Sequence, residues 1–142
     1  MLVRELFEAT VQSLRVMRQI INSNFSRRGL SITFPEHTAT RSTVGERGAA
    51  VDDRRMLEAM MAILRAYDNK EPKLMAVFEV AINRVKKPVS VIFVYPYEDT
   101  ALNMPCEIVP ERRPRLVFTT VMVKRDFHPH SSHDIVIRLP PA

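Results

Sequence analysis

The chain has 142 residues, of which 46% are hydrophobic and 26% are charged, a composition that excludes disorder over most of its length. Its 21 Lys and Arg outnumber its 16 Asp and Glu and give a net charge of +5, which favours acidic partners without choosing between protein and nucleic acid. A single cysteine, Cys106, excludes an internal disulfide and a multi-cysteine zinc site, and only three glycines exclude a glycine-rich phosphate loop.

The first predicted element is an amphipathic helix over residues 2–22. Its apolar stripe recurs at steps of three and four residues: Val3, Phe7, Thr10, Leu14, Met17 and Ile21. We expect this stripe to cover the domain's own core, although its near-heptad spacing also suits a partner helix. Residues 22–24 are expected to end the helix, before a basic turn at residues 27–29. We therefore divide the chain into this helix and turn, 1–30, and a compact α+β domain, 31–142.

A short strand is predicted at residues 31–34, and Pro35 ends it. A second long helix follows, capped by Asp52 or Asp53 and running to about Tyr67. The side of this helix expected to be buried consists of Leu57, Met60, Met61, Leu64 and Tyr67.

Beyond the second helix the pattern becomes extended. Strands are predicted at residues 76–83, 89–95, 116–123 and 135–139. A loop is predicted at 96–115, because prolines block ladder hydrogen bonds; these are Pro96, Pro105, Pro110 and Pro114. The predicted fold class is α+β, with an N-terminal amphipathic helix, a second helix and a three- to four-stranded, mostly antiparallel sheet.

The histidines are the residues most able to carry chemistry. His128, His130 and His133 could together hold a metal ion, but Pro129 prevents a helix that would align them, so a solvated loop is favoured and no metal or cofactor is predicted. His37 and Arg41 lie one helical turn apart and could bind a phosphate, or could pack locally instead.

Basic residues cluster at several turns. Arg84, Lys86 and Lys87 follow the first predicted long strand, and Lys124 and Arg125 follow the third, so that in an antiparallel sheet they could form a patch beside Arg27 and Arg28. Such a patch would bind nucleic acid electrostatically, but a 7% aromatic content without Trp argues against a stacking platform for single strands. A second group, Arg112, Arg113 and Arg115, is expected to make the proline-rich segment an interaction loop.

Two stretches resemble known small proteins. Residues 32–37 followed by Arg41, then residues 46–48 before a helix, resemble the opening of BrnT/RelE-type toxin-like domains, with their "E-H…R" and "ER-G" elements. Residues 119–127 and the opening residues 1–8 are similar to those of small phage-encoded proteins of the same build. The resemblance implies a RelE-like α+β fold in a bacteriophage or mobile element, with His37, Arg41 and Arg84 as the residues that would act on RNA in a ribonuclease.

Two functional hypotheses follow. The first is a non-enzymatic bacteriophage structural or assembly protein that binds other virion proteins in an oligomeric assembly, through its first helix and its proline-rich loop. Its contacting residues would be Arg4, Phe7, Arg15, Arg112, Arg113 and Arg115. The alternative is a RelE/BrnT-like ribonuclease or RNA-binding domain. The acidic residues Glu5 and Glu8 interrupt any secretory leader and no apolar run could span a membrane, so the expected location is the virion or the host cytoplasm.

Overall fold

A computed structural model of the protein describes residues 16–33, 53–97, 100–119, 121–124 and 135–140. Its helices are α1, which covers residues 16–27, α2 (Asp53–Asp68) and α3 (Pro72–Glu79), and α3 continues into a π-helical turn, Val80–Arg84. Its strands are β1 (Ser31–Thr33), β2 (Val89–Tyr97), β3 (Thr100–Val109), β4 (Arg115–Phe118), β5 (Met122–Lys124) and β6 (Val136–Arg138).

The described strands form one sheet with the order β1-β4-β3-β2-β6, and β5 pairs with β3 beside β4. The pairs β2/β3, β3/β4 and β3/β5 are antiparallel, whereas β1/β4 and β2/β6 are parallel. The predicted α+β class is confirmed. The predicted mostly antiparallel sheet of three to four strands is wrong, because six strands are described and the sheet is mixed. Alternation of apolar residues identifies a strand but does not encode the direction of its neighbour.

One face of the sheet and the three helices share a single core. On β3 the side chains of Leu102, Met104, Cys106 and Ile108 point into it, and the registered residues of β2 and β4 do the same. Phe93 and Phe118 pack across the sheet with ring centroids 6.2 Å apart, and Tyr67 of α2 meets the edge of Phe78 of α3 at 5.5 Å. Ile21, Phe25 and Leu30 belong to the same core, so residues 16–30 pack into the same body as the sheet.

The end of α1 differs from the prediction. The helix does not end at residues 22–24, because the Asn24 side chain donates to the Ile20 carbonyl inside the helix and leaves the backbone helical. Its last helical residue is Arg27, and the chain turns away at Gly29, which has φ 73°. There the Leu30 N–H donates to the Phe25 carbonyl and the Gly29 N–H to the Ser26 carbonyl, both at 3.0 Å, which is a Schellman motif.

The second helix is confirmed close to its predicted bounds, and Met60 and Leu64 of its predicted stripe are fully buried. The predicted strand at residues 76–83 is wrong, since this segment forms α3 and the π-helical turn. Its buried residues, Leu74, Val77, Phe78 and Ala81, follow a helical period of three and four. Pro72 at the first helical positions and the Glu71 carboxylate, which accepts from the Leu74 N–H at 2.8 Å, start the helix.

The predicted proline-rich loop at 96–115 is also wrong over Thr100–Val109, which is the central strand β3. Pro105 is tolerated there for a geometric reason. The N–H of its cross-strand neighbour Ile92 donates to Ile135 on the β6 side, so Ile92 and Pro105 form a pair without mutual hydrogen bonds. The nitrogen of Pro105 therefore faces the gap between β4 and β5, where no ladder donor is needed.

Candidate functional site

Two basic turns meet at one end of the sheet. The first joins α1 to β1, and the second, residues 110–114, joins β3 to β4. The Ser31 N–H donates to the Pro114 carbonyl at 2.8 Å, at the start of the parallel β1/β4 pair. The Arg113 guanidinium donates to the Ser26 hydroxyl of α1 at 3.3 Å. Residues 87 positions apart in the chain are thereby in contact.

The meeting of these turns creates an arginine cluster, which consists of Arg27, Arg28, Arg112, Arg113 and Arg115. Two of its members have carboxylate partners. Arg28 binds Asp68 through two hydrogen bonds of 2.7 Å, and Arg115 contacts Glu111 at 3.2 Å and donates to the Thr33 hydroxyl at 2.7 Å. Arg28 also donates to the Asn24 carbonyl at 2.7 Å, near the negative end of the α1 dipole.

The contact between Arg28 and Asp68 changes the pKa of both residues. The hydrogen bonds from Arg28 lower the pKa of Asp68, and the same bonds raise the pKa of Arg28. Partial desolvation acts in the opposite direction on each group but is the smaller effect. Both groups therefore stay charged at neutral pH, and the pair holds the end of α1 against the end of α2.

The other three arginines of the cluster differ from Arg28 and Arg115 in their surroundings. Arg27, Arg112 and Arg113 are exposed, and no carboxylate in the described part of the chain forms an ion pair with them. A guanidinium presents its donors in a planar fork that matches a carboxylate or a phosphate. This surface can therefore bind an anionic group supplied by another molecule.

More cations lie at the same end of the sheet. Arg84, Lys86 and Lys87 are exposed and precede Val89, which pairs with Ile108 near the end of β3. Since neighbouring strands are about 4.8 Å apart, the start of β2 lies about 14 Å across the sheet from the start of β1. Lys124 does not belong to this end, because it pairs with Ala101 at the opposite end of β3. The predicted joint patch is thus wrong for Lys124, and Arg125 lies outside the described residues.

Among the described residues, no aromatic platform accompanies these cations. Among the aromatic side chains whose exposure is described, Tyr67 is half-buried and the others are buried: Phe25, Phe78, Phe93, Tyr95 and Phe118. Bases of a single-stranded nucleic acid would find no exposed ring to stack on in this part of the molecule.

The described residues offer little that could bind a metal ion or act as a nucleophile. They contain no group of three or more His, Cys, Asp or Glu side chains that could hold a metal ion. Cys106 is 2% exposed, and burial raises the pKa of its thiol, which keeps it protonated. A shallow groove of about 540 Å³ is lined by α3 and the π-helical turn, and its carboxylate, on Glu79, accepts a 2.7 Å hydrogen bond from Asn83.

The remaining predicted site residues are only partly covered by the structure. Arg84, Arg112, Arg113 and Arg115 lie at the basic end of the sheet. His37, Arg41, His128, His130, His133, Arg4, Phe7 and Arg15 all lie outside the described residues. The ribonuclease residues and the candidate metal ligands therefore remain predictions.

Both arginine-rich turns are evident in the sequence, but their contact is not. Each turn contains two adjacent arginines, Arg27-Arg28 in one and Arg112-Arg113 in the other, and this similarity is what the sequence offers as a sign of a shared surface. Their contact depends on the parallel pairing of β1 with β4, which the sequence pattern does not encode.

No protein-family model matches this chain, and neither the curated proteins nor the solved structures contain a significant match to it. The described helices include none with the length and apolar character needed to span a bilayer.

Proposed function

We propose that this protein is a non-enzymatic assembly component that binds an acidic surface of another protein through its arginine cluster. The observation that carries the proposal is the contact between Arg113 and Ser26, which joins the first helix and the β3–β4 turn into one surface. Both elements were expected from the sequence to contact partners. The bacteriophage setting implied by the resemblance belongs to the same proposal, and the partner is then another virion protein.

The arginines of the cluster fall into two groups, and the difference between these groups supports the proposed function. Arg28 and Arg115 are held by carboxylates and fix the two turns in place, while Arg27, Arg112 and Arg113 face outward. Fixed neighbours reduce the conformational freedom that a binding surface loses on association. Arginine is also enriched at protein interfaces, where lysine is depleted.

A second candidate is sequence-independent binding of an RNA or DNA duplex. It is favoured by Arg84, Lys86 and Lys87, which precede β2. Together with the arginine cluster they place cations across the end of the sheet, where the starts of β1 and β2 lie about 14 Å apart. Phosphates of a duplex could contact these cations without any aromatic stacking.

Fluorescence anisotropy with two labelled probes tests the proposal: a glutamate-rich peptide of ten residues, and an RNA duplex of comparable charge. We expect the peptide to bind and its affinity to fall as salt rises, because exposed charges are screened. The double variant Arg112→Gln/Arg113→Gln should weaken peptide binding about fivefold or more, since each lost charge-assisted contact contributes roughly 0.5–1 kcal/mol.

The matched control is Lys124→Gln/Arg138→Gln, which removes the same charge from positions registered to Ala101 and Val94. Ala101 lies about 27 Å along β3 from Val109, so this control should leave binding nearly unchanged. Equal weakening by both variants would show that net charge alone is recognised and would overturn the proposal. Tighter binding of the RNA than of the peptide would establish the second candidate instead, and cleavage of the RNA would establish the ribonuclease alternative.

A further inference from the structure

The outward face of α1 carries an apolar stripe. In the described part of the chain three large hydrophobic side chains are exposed, and two of them, Val16 (50% exposed) and Ile20 (39%), lie one turn apart on this helix. Ile21 and Phe25, on the opposite face, are buried in the core. The stripe therefore contributes nothing to the core against which α1 packs.

The same stripe leads into the arginine cluster. At about 100° per residue, Val16, Ile20, Ser23 and Arg27 fall within about 60° of one another around the helix axis. Arg27 directly follows Ser26, the residue that Arg113 contacts. The outward face of α1 thus carries two exposed apolar side chains one turn apart and a cation at its end, over a length of about 16 Å.

We infer that this face is the docking site for an amphipathic helix of a partner protein, with apolar residues over two turns and carboxylates beside Arg27 and Arg113. The inference rests on the proposed function and names the element that the partner presents. A straight stripe one residue wide suits the side of a second helix packed at 8–10 Å. A nucleic-acid backbone would gain nothing from contact with Val16 and Ile20, so the stripe favours a protein partner.

A second copy of this chain fits the stripe poorly. Residues 16–27 contain two basic residues, Arg18 and Arg27, with Arg28 directly after them, and contain no Asp or Glu. Pairing α1 with itself would therefore supply no carboxylate for Arg27. The charge pattern calls for an acidic partner helix instead.

Two synthetic helical peptides of 14 residues test the inference. In the first peptide leucines occupy one face over two turns and glutamates occupy the next turn. The second has the same composition with both residue types spread around the helix. We expect the first to bind at least about fivefold more tightly, because only that peptide can cover Val16 and Ile20 while its carboxylates reach the arginines.

The variant Val16→Ser/Ile20→Ser should weaken binding of the first peptide about tenfold and leave binding of the glutamate-rich peptide unchanged. Val85→Ser is the matched control, since Val85 is 48% exposed but lies outside α1. Circular dichroism confirms that each variant is folded. Because the glutamate-rich peptide reports on the arginines alone, its failure to bind would remove the proposed function, whereas equal binding of the two helical peptides would remove only the docking inference.

The stripe could instead be covered by a second copy of this chain, and a measurement of self-association tests that outcome. Sedimentation of the wild-type protein should show no concentration-dependent dimer. A dimer that the Val16→Ser/Ile20→Ser variant dissociates would assign the stripe to a second copy and overturn the inference.

Discussion

Arg28 and Asp68 are joined by two parallel hydrogen bonds, Nε to Oδ1 and Nη2 to Oδ2, each 2.7 Å long. The pair ties the residue that follows α1 to the last residue of α2, 40 positions along the chain. Through it the backbone that presents Arg27 is anchored to the rest of the molecule. Loss of this ion pair is therefore expected to affect both the stability of the fold and the position from which Arg27 binds a partner.

Asp68→Asn should lower the free energy of unfolding by about 0.5–1 kcal/mol at pH 7, the usual size for an exposed pair of good geometry. The pKa of Asp68 is lowered in the folded protein, so its contribution is fully present above the unfolded pKa of about 3.9 and is lost as the pH falls through the folded pKa. Urea denaturation at neutral pH and at about pH 2 measures both values. An undiminished difference between wild type and variant in acid would contradict this account.

Gly29 after α1 and Lys70 after α2 both adopt the left-handed conformation, and we expect their substitution to change stability in opposite directions. Gly29 has φ 73° at the end of α1, and Lys70 has φ 54° at the end of α2, where the Glu71 N–H donates to the Ala66 carbonyl and the Lys70 N–H to the Tyr67 carbonyl. Gly29→Ala should cost about 1 kcal/mol, and Lys70→Gly should stabilise the protein by about 0.5–1 kcal/mol.

A Cβ at Gly29 would meet no atom within 4 Å, so the cost of Gly29→Ala comes from backbone strain alone. Thermal unfolding of the two single variants measures the pair of effects. Effects of the same sign would show that one of the two turns is not left-handed in solution.

Asn103 carries an unsatisfied buried group. It is 1% exposed, its amide donates to the Ala101 carbonyl at 3.2 Å, and its Oδ1 has no hydrogen-bond partner. Its cross-strand neighbours, Val94 and Met122, are apolar. Asn103→Leu should therefore raise the free energy of unfolding by about 1 kcal/mol, because a desolvated acceptor is replaced by an apolar group of similar size.

Urea denaturation of Asn103→Leu measures this gain, and Asn22→Leu, at an exposed position on α1, serves as the control. A loss of stability in the first variant alone would mean that Oδ1 accepts a hydrogen bond in solution.

Cys106 should react slowly with thiol reagents in the folded protein. The side chain is 2% exposed and burial raises the pKa of its thiol, so both access and thiolate formation are suppressed. At pH 8 we expect labelling by a disulfide reagent to follow global unfolding and to become fast in urea. Rapid stoichiometric labelling without denaturant would place Cys106 at the surface.

The errors in the predicted elements have specific physical origins. The segment 76–83 is predicted as a strand from the alternation of its residues, yet its buried residues follow a helical period and Pro72 is a helix-start signal. Pro105 suggested a loop, but a central strand accepts a proline where two neighbouring strands leave a gap. In both segments local residue preference was overridden by the packing of the segment.

The sequence by itself determined the α+β class, the second helix and the positions of both arginine-rich turns, because apolar periodicity, capping residues and charge are local properties of the chain. Only the tertiary structure decided that the turn after α1 lies against the turn before β4, and that Val16, Ile20 and Arg27 continue into one surface with Arg113. That arrangement depends on the parallel pairing of Ser31–Thr33 with Arg115–Phe118. Contacts between residues more than 80 positions apart arise from how the whole core packs, and no local pattern records them.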